Sequence, residues 1–116
     1  MSARKAVVQK YIDGFRRTEH AQILSCLTDD VVWVLHGYKT LHGKEAFDAE
    51  IENDAFEGSP KIELERLIQE GDTVAVTGHG SVAKKGGELM KFVFSEVFTF
   101  TGDLVSRLET YHIWIK

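Results

Sequence analysis

In the stretch MKFVFSEVFTF, residues 90–100, every second residue from the first is large, and all but one of these residues are apolar. Because successive residues of a β-strand point to opposite faces, one face of this strand carries five large apolar residues and a single acid. That face consists of Met90, Phe92, Phe94, Glu96, Phe98 and Phe100. The pattern predicts a long strand with one buried face, and it places a carboxyl group in the buried row.

The acid of this row, Glu96, needs a compensating arrangement. A buried carboxylate loses hydration, so it either has a partner or its pKa rises until it holds a proton near neutral pH. The first interpretation is a structural ion pair or hydrogen bond, for instance with Arg107 on the next strand, or a position near an open rim. The second is a protonated acid that donates a hydrogen bond into a pocket.

The segments around this strand predict a meander of β-strands. From Ser59 onward, four segments alternate apolar and polar residues, and turn-forming residues separate them. These turn residues are Pro60, Gly71-Asp72, Gly86-Gly87 and Gly102-Asp103. Short turns of this kind connect neighbouring antiparallel strands.

The first helix is predicted from AVVQKYIDGF, residues 6–15. Its apolar side chains recur at i, i+3, i+4 and i+7, the spacing of one helix face, and they are Val8, Tyr11, Ile12 and Phe15. The phenol of Tyr11 therefore lies among apolar residues. A buried tyrosine hydroxyl needs a partner, which can be structural or a ligand.

Two further helices and one strand are predicted before the meander. Thr18 caps a second helix whose buried stripe is Ile23, Leu24 and Leu27, and Asp29-Asp30 ends it. Residues 31–36, VVWVLH, form a strand. Gly43 begins a third helix over KEAFDAEIENDAF, residues 44–56, with Phe47, Ile51 and Ala55 on its apolar face. Helices followed by strands predict an α+β domain spanning residues 1–116. A curved sheet against three helices leaves a hollow that can hold a ligand.

Composition narrows the classes of partner. The 116 residues carry a formal net charge of −4 without basic clusters, so we expect neither nucleic acid nor a membrane surface as a partner. The only cysteine is Cys26, and the five histidines lack metal-site spacing, so we expect no metal and no cofactor. With no apolar run long enough for a membrane span or a signal peptide, the expected location is cytoplasmic.

The last strand, which follows Gly102-Asp103, carries mixed chemistry on both faces. One face has Val105, Arg107, Glu109, Tyr111 and Ile113, and the other has Leu104, Leu108, Thr110, His112 and Trp114. Because both faces contain large apolar residues, neither is predicted to be fully exposed to solvent. Because a sheet with a pocket on its concave side often covers an apolar convex side with another subunit, we predict a homodimer through the convex face.

Several motifs resemble the NTF2-like superfamily, in its branch of steroid isomerase and SnoaL-like polyketide cyclase domains. They are AVVQKY on the first helix, LTDDVVW entering the first strand, Gly43 at the third helix, and the strand after Gly102-Asp103. The resemblance extends over essentially the whole chain. It implies a cone-shaped fold in which a curved mixed or antiparallel sheet wraps around three N-terminal helices and encloses a pocket.

The resemblance also implies roles for individual residues. In ketosteroid isomerases, a tyrosine of the first helix and an acid of the fourth strand donate hydrogen bonds to the carbonyl oxygen, while an Asp of the first strand moves the proton. Tyr11 and Glu96 match the first two positions, and Leu35 stands at the third, where it cannot carry a proton. His36 and Glu109 are possible replacement bases.

The predicted function is binding of a small hydrophobic molecule, with an isomerase or cyclase reaction by proton transfer on a carbonyl compound as its catalytic form. The alternative is a non-catalytic ligand-binding or dimerisation module of the same fold. The residues expected to bind the ligand are Tyr11, Phe15, Trp33, Leu35, Phe92, Phe94, Glu96, Arg107, Glu109 and Tyr111.

Overall fold

The computed structural model describes residues 2–53 and 55–115, and within them three helices and six strands follow one another. The elements are α1 (Ala3–Arg17), α2 (His20–Leu24), β1 (Leu27–Leu35), β2 (Lys39–His42), α3 (Gly43–Ile51), β3 (Phe56–Glu70), β4 (Thr73–Lys84), β5 (Leu89–Thr101) and β6 (Leu104–Ile115). The predicted α+β class is confirmed. No helix of the described ranges is long and apolar enough to cross a membrane.

The strands form one mixed sheet in the order β2-β1-β6-β5-β4-β3. β1 runs parallel to β6, and all other neighbouring strands are antiparallel. The helix α1 packs against β3, and α3 packs against β1 and β2. The helices therefore cover the concave face of the curved sheet, and the core lies between the two layers.

The second helix is shorter than predicted, and its cap differs. Thr18 adopts a left-handed conformation (φ 51°) that ends α1, and Glu19 occupies the cap position of α2. Leu27 already belongs to β1, where it pairs with Val105 of β6, so the two aspartates of residues 29–30 lie inside a strand. Pairing between distant strands overrides the local signal for a helix end here.

Two other features differ from the sequence prediction. The third helix ends at Ile51, and a short strand, β2, precedes it. β2 is an edge strand that follows the turn at Gly37 (φ 80°) and pairs only with β1 within the described chain. Its four residues are mostly polar and exposed, so it lacks the apolar alternation that marks the other strands in the sequence.

The alternation of β5 is confirmed by burial. Phe92, Glu96, Phe98 and Phe100 are buried, and Val93 on the opposite face is exposed. The buried row lies over the helices and forms the central part of the core with β4. β5 therefore contributes both apolar core residues and the buried acid Glu96.

Two glycines of β4 shape the wall next to this row. Gly78 and Gly80 lie directly opposite Phe94 and Phe92 in the antiparallel pair β4–β5. A Cβ atom at Gly78 would lie 2.9 Å from the ring of Phe94 and would collide with the carbonyl oxygen of Glu63, so no side chain fits there. The two phenylalanine rings cover the bare backbone, and the wall remains smooth and apolar.

Candidate functional site

A cavity of about 800 Å³ lies between the concave face of the sheet and the helices. Seven of the ten residues predicted to bind a ligand line it. They come from α1, β1 and β5, and they are Tyr11, Phe15, Trp33, Leu35, Phe92, Phe94 and Glu96. The structure thus brings the tyrosine of the first helix and the acid of β5 to the same space.

The other three predicted residues, Arg107, Glu109 and Tyr111, are not among the residues that line this cavity. The pairing of β5 with β6 contains an irregularity, in which Thr99 lies opposite Arg107 while the next residue, Phe100, lies opposite Val105. One extra residue in β6 changes which side chains face inward. The predicted pocket face of β6 is corrected accordingly: Arg107, Glu109 and Tyr111 lie on the convex face.

The cavity face of β6 carries three residues that the sequence prediction did not include. Thr110, His112 and Trp114 pair with Glu96, Phe94 and Phe92 and line the cavity. The signal available in the sequence is the even-numbered row of β6, but both rows contain apolar and polar residues. Only the register of β6 with β5 shows which of the two rows faces the cavity.

The Tyr11 side chain lies at the centre of the core, with 1% of its surface exposed. Its ring contacts those of Phe15, Phe47 and Phe98 at centroid distances of 5.1, 6.2 and 5.2 Å. Its buried hydroxyl has no hydrogen-bond partner among the described residues. Burial, and next the negative charge of Glu96, raise the pKa of Tyr11 well above its ordinary value, so the phenol stays protonated and can donate.

Glu96 is held by a chain of two hydrogen bonds. The indole Nε1 of Trp33 donates to Thr110 Oγ1 over 2.9 Å, and the Thr110 hydroxyl donates to Glu96 Oε2 over 2.6 Å. Indole nitrogen can only donate, so Thr110 accepts from Trp33 with a lone pair and keeps its hydrogen for the carboxyl group. Trp33 itself is fixed by stacking on Phe47 at 4.2 Å.

The protonation of Glu96 follows from this environment. Burial raises the pKa of Glu96 to about 7, although the hydrogen bond from Thr110 favours the ionised form and acts in the opposite direction. Because Oε2 accepts from Thr110, the acidic proton belongs on Oε1. Near neutral pH, a substantial fraction of the protein therefore carries a carboxylic acid that can donate through Oε1.

Arg107 is not the partner of Glu96 that one interpretation of the sequence offered. Arg107 approaches Glu109 instead, with 3.9 Å between Arg107 Nε and Glu109 Oε2. The imidazole of His36 also contacts Glu109, at 3.2 Å, and stacks on Tyr111 at 4.3 Å. The two candidate replacement bases thus contact each other, and of the two only His36 lines the cavity.

Charged residues of α3 and the following segment line part of the cavity. Glu50 forms an ion pair with Lys39 over 2.8 Å, and Glu52 contacts His20 over 2.6 Å. His20 also contacts Asp48, and these hydrogen bonds raise its pKa. Within residues 2–53 and 55–115, no three His, Cys, Asp or Glu side chains form a group that could hold a metal ion.

Comparison with known proteins identifies the family. The family model of the SnoaL-like domain matches residues 8–108. The chain belongs to the SnoaL-like domain family. No curated protein sequence matches the chain significantly.

Several solved structures share this fold at low sequence identity. An NTF2-like protein of unknown function from Burkholderia pseudomallei superposes with a TM-score of 0.89 at 21% identity, over 97% of this SnoaL-like domain and 92% of that chain. TerC, co-crystallised with polyporic acid, superposes with a TM-score of 0.86 at 22% identity, again over 97% of this chain and 92% of that chain. An LEH-like epoxide hydrolase from M. tuberculosis superposes with a TM-score of 0.84 at 14% identity, over 96% of this chain and 83% of that chain. The NTF2-like fold is thereby confirmed.

The raised pKa of Glu96 predicts a pH dependence of stability. In the unfolded chain the carboxyl group ionises near its ordinary pKa of 4.5, whereas in the fold it ionises at about 7. The native state therefore binds more protons between these values, and its stability falls as the pH rises through this window. The difference corresponds to roughly 3 kcal/mol when the window is fully crossed.

Urea unfolding of wild type and Glu96→Gln from pH 5 to pH 8 measures this dependence. We expect the stability of wild type relative to Glu96→Gln to decrease by up to roughly 3 kcal/mol over this range. The exposed Glu63 on β3 provides the matched control, and Glu63→Gln should run parallel to wild type. Parallel curves for Glu96→Gln as well would show that Glu96 has an ordinary pKa.

Proposed function

We propose that this SnoaL-like domain binds a hydrophobic carbonyl compound in its cavity and holds the carbonyl oxygen with hydrogen bonds from Tyr11 and Glu96. In the catalytic form of this proposal, the two donors stabilise the negative charge that develops on the oxygen when a proton leaves the neighbouring carbon. Isomerisation and cyclisation by proton transfer are reactions that need such charge stabilisation.

The observation that carries the proposal is the unpartnered hydroxyl of Tyr11. Leaving a buried hydroxyl without a hydrogen bond costs about 1–3 kcal/mol. No described residue accepts or donates a hydrogen bond at this hydroxyl, and Tyr11 lines the cavity. The hydroxyl oxygen has almost no accessible surface, so a ligand oxygen that satisfies the phenol enters with a displacement of the neighbouring side chains.

The second donor is Glu96 in its protonated form. Thr110 occupies Oε2, and the described chain gives Oε1 no hydrogen-bond donor or acceptor. Two donors against one apolar wall act in a medium of low dielectric constant, where hydrogen bonds to a developing oxyanion are strongest. The smooth surface of Phe92 and Phe94 beside them suits a flat apolar ligand.

The size of the cavity supports a ligand rather than a core filled by its own side chains. Ligand pockets usually measure about 300–1,000 Å³, and 800 Å³ lies within this range. TerC, which has the same fold, was co-crystallised with the small molecule polyporic acid. This likeness supports the use of the cavity for a molecule of similar dimensions.

Titration with a planar fluorescent phenolic steroid, a mimic of a dienolate, tests the proposal. We expect wild type to bind it, and Tyr11→Phe and Glu96→Gln each to weaken binding roughly 10- to 100-fold, as expected for a hydrogen bond to a charged group. Tyr111→Phe is the matched control, because Tyr111 lies on the convex face. Binding by wild type that neither cavity variant weakens would contradict the assignment of the two donors.

The non-catalytic form of the proposal is favoured by one observation. Leu35 lines the cavity at the position that the family resemblance gives to the proton-transferring Asp. In a non-catalytic binder, Tyr11→Phe and Glu96→Gln would still weaken ligand binding, but wild type would form no product. Product formation from an enolisable ketone distinguishes the enzyme from the binder.

We further propose that the domain forms a homodimer through the convex face of β5 and β6. Exposed apolar side chains form one patch there, consisting of Val93, Tyr111, Ile113 and Ile115. Val93 lies directly opposite Ile113 in the sheet, so the patch is continuous across the two strands. Lys91, Arg107 and Glu109 lie on the same face, and charges of both signs can pair across a two-fold axis.

Sedimentation analysis of wild type and Ile113→Lys tests the dimer. The side chain of Ile113 is 62% exposed in the single chain, so the lysine should leave the fold intact while placing charge in the apolar patch. We expect wild type to sediment as a dimer and Ile113→Lys as a monomer. Tyr38→Lys, at a similarly exposed site outside the patch, should remain dimeric. A monomeric wild type would refute the proposal.

A further inference from the structure

His112 lines the cavity and has no part in holding the ligand oxygen in the proposed function. It lies on β6 two residues beyond Thr110 and on the same face, opposite Phe94. Residues i and i+2 of a strand are about 7 Å apart, so His112 follows the Glu96–Thr110 pair by one step along the cavity. Its ring lies 4.5 Å from that of Phe92 and 4.5 Å from that of Trp114.

Other titratable side chains along the cavity have ionic partners, although His36 uses only Nε2 and keeps Nδ1 without a hydrogen bond among the described residues. Glu50 is paired with Lys39, Glu52 with His20, and His36 with Glu109. His112 makes no side-chain hydrogen bond or ion pair within residues 2–53 and 55–115. Its nitrogens are therefore available to a ligand.

The surroundings of His112 also favour its neutral form. Partial burial against the aromatic rings lowers its pKa below the ordinary value, while part of the residue stays exposed to solvent. A neutral imidazole has a free lone pair and can accept a proton at neutral pH. The positively charged Lys85 also lines the cavity and acts against protonation of the imidazole, whereas Glu50, Glu52 and Glu96, when ionised, act in the opposite direction.

We propose that His112 is the general base of this cavity and removes a proton from the carbon next to the carbonyl group held by Tyr11 and Glu96. The inference rests on the proposed function. His112 follows Thr110 on the same face of β6, so a carbonyl compound held by Tyr11 and Glu96 can present its neighbouring carbon to the imidazole.

The proton transfer needs no further reactant. The C–H bond breaks and its electron pair forms a carbon–carbon double bond, while the π pair of the carbonyl moves onto the oxygen. The proton passes to His112, and the oxyanion accepts hydrogen bonds from Tyr11 and Glu96. Return of the proton to a different carbon completes an isomerisation, and the imidazole becomes neutral again.

The test uses 5-nitrobenzisoxazole, an apolar probe that reports any base placed in such a cavity. A base removes its one ring C–H proton, the N–O bond breaks, and a coloured cyanophenolate forms whose oxygen carries the charge. We expect wild type to accelerate this elimination beyond free imidazole at the same concentration. His112→Gln should lower the rate constant about 100-fold or more, in line with the usual contribution of a general base.

His79→Gln is the matched control, because His79 faces Glu65 outside the cavity, and its rate should equal that of wild type. A wild-type rate in His112→Gln, a loss in His36→Gln instead, or a wild type no faster than imidazole would each overturn the inference. Near-ultraviolet circular dichroism of His112→Gln establishes that the variant is folded. If that variant is not folded, His112→Asn takes its place with the same expected loss.

Binding of the phenolic steroid separates this inference from the proposed function. If Tyr11→Phe and Glu96→Gln weaken steroid binding while His112→Gln leaves the elimination rate unchanged, the base assignment fails and the proposed function stands. If elimination depends on His112 and neither donor variant affects steroid binding, His112 is a base and the oxygen-holding pair fails.

Discussion

The loss of hydration of one carboxyl group constrains the surrounding structure. Glu96 is only 8% exposed, in a strand whose neighbouring residues on the same face are all aromatic or sulfur-containing and apolar. An isolated charge at this position would be costly, so the group requires a proton, a hydrogen-bond donor or both. Thr110 supplies one hydrogen bond, and the raised pKa of Glu96 reflects the remaining cost. The stability of the fold, the ability of Glu96 to donate a hydrogen bond and the orientation of its carboxyl group all depend on whether Glu96 holds its proton and its bond from Thr110.

The topology supplies what the carboxyl group needs. Parallel pairing sets Trp33 of β1 beside Leu108 of β6, so that its indole reaches Thr110, and antiparallel pairing sets Thr110 opposite Glu96. Three strands thus contribute to one chain of hydrogen bonds. A neutral acid held in this way has a fixed donor atom, because the orientation of the Thr110 hydroxyl determines which oxygen carries the proton. The helix α1 adds Tyr11 from the opposite layer of the domain.

The sequence predicts the elements better than it predicts the face of the last strand. The alternation of β5 and the periodicity of α1 are local patterns, and they are enough to predict the α+β class and to single out Tyr11 and Glu96. The face of β6 depends on one extra residue near Ser106, which moves Arg107, Glu109 and Tyr111 to the convex side. The end of α1 at Thr18 and the edge strand β2 likewise depend on tertiary contacts.

The donor chemistry of the site requires that Glu96 hold its proton into the neutral range. Carbon NMR of side-chain carboxyl groups as a function of pH measures this directly, with the signal of Glu96 assigned by its absence from Glu96→Gln. We predict a titration midpoint at about 7, set apart from the acidic midpoints of the exposed glutamates. A midpoint for Glu96 in the usual range of glutamate, at about 4.3, would contradict this, and the carboxyl group would then be an ionised acceptor that cannot donate to a ligand oxygen.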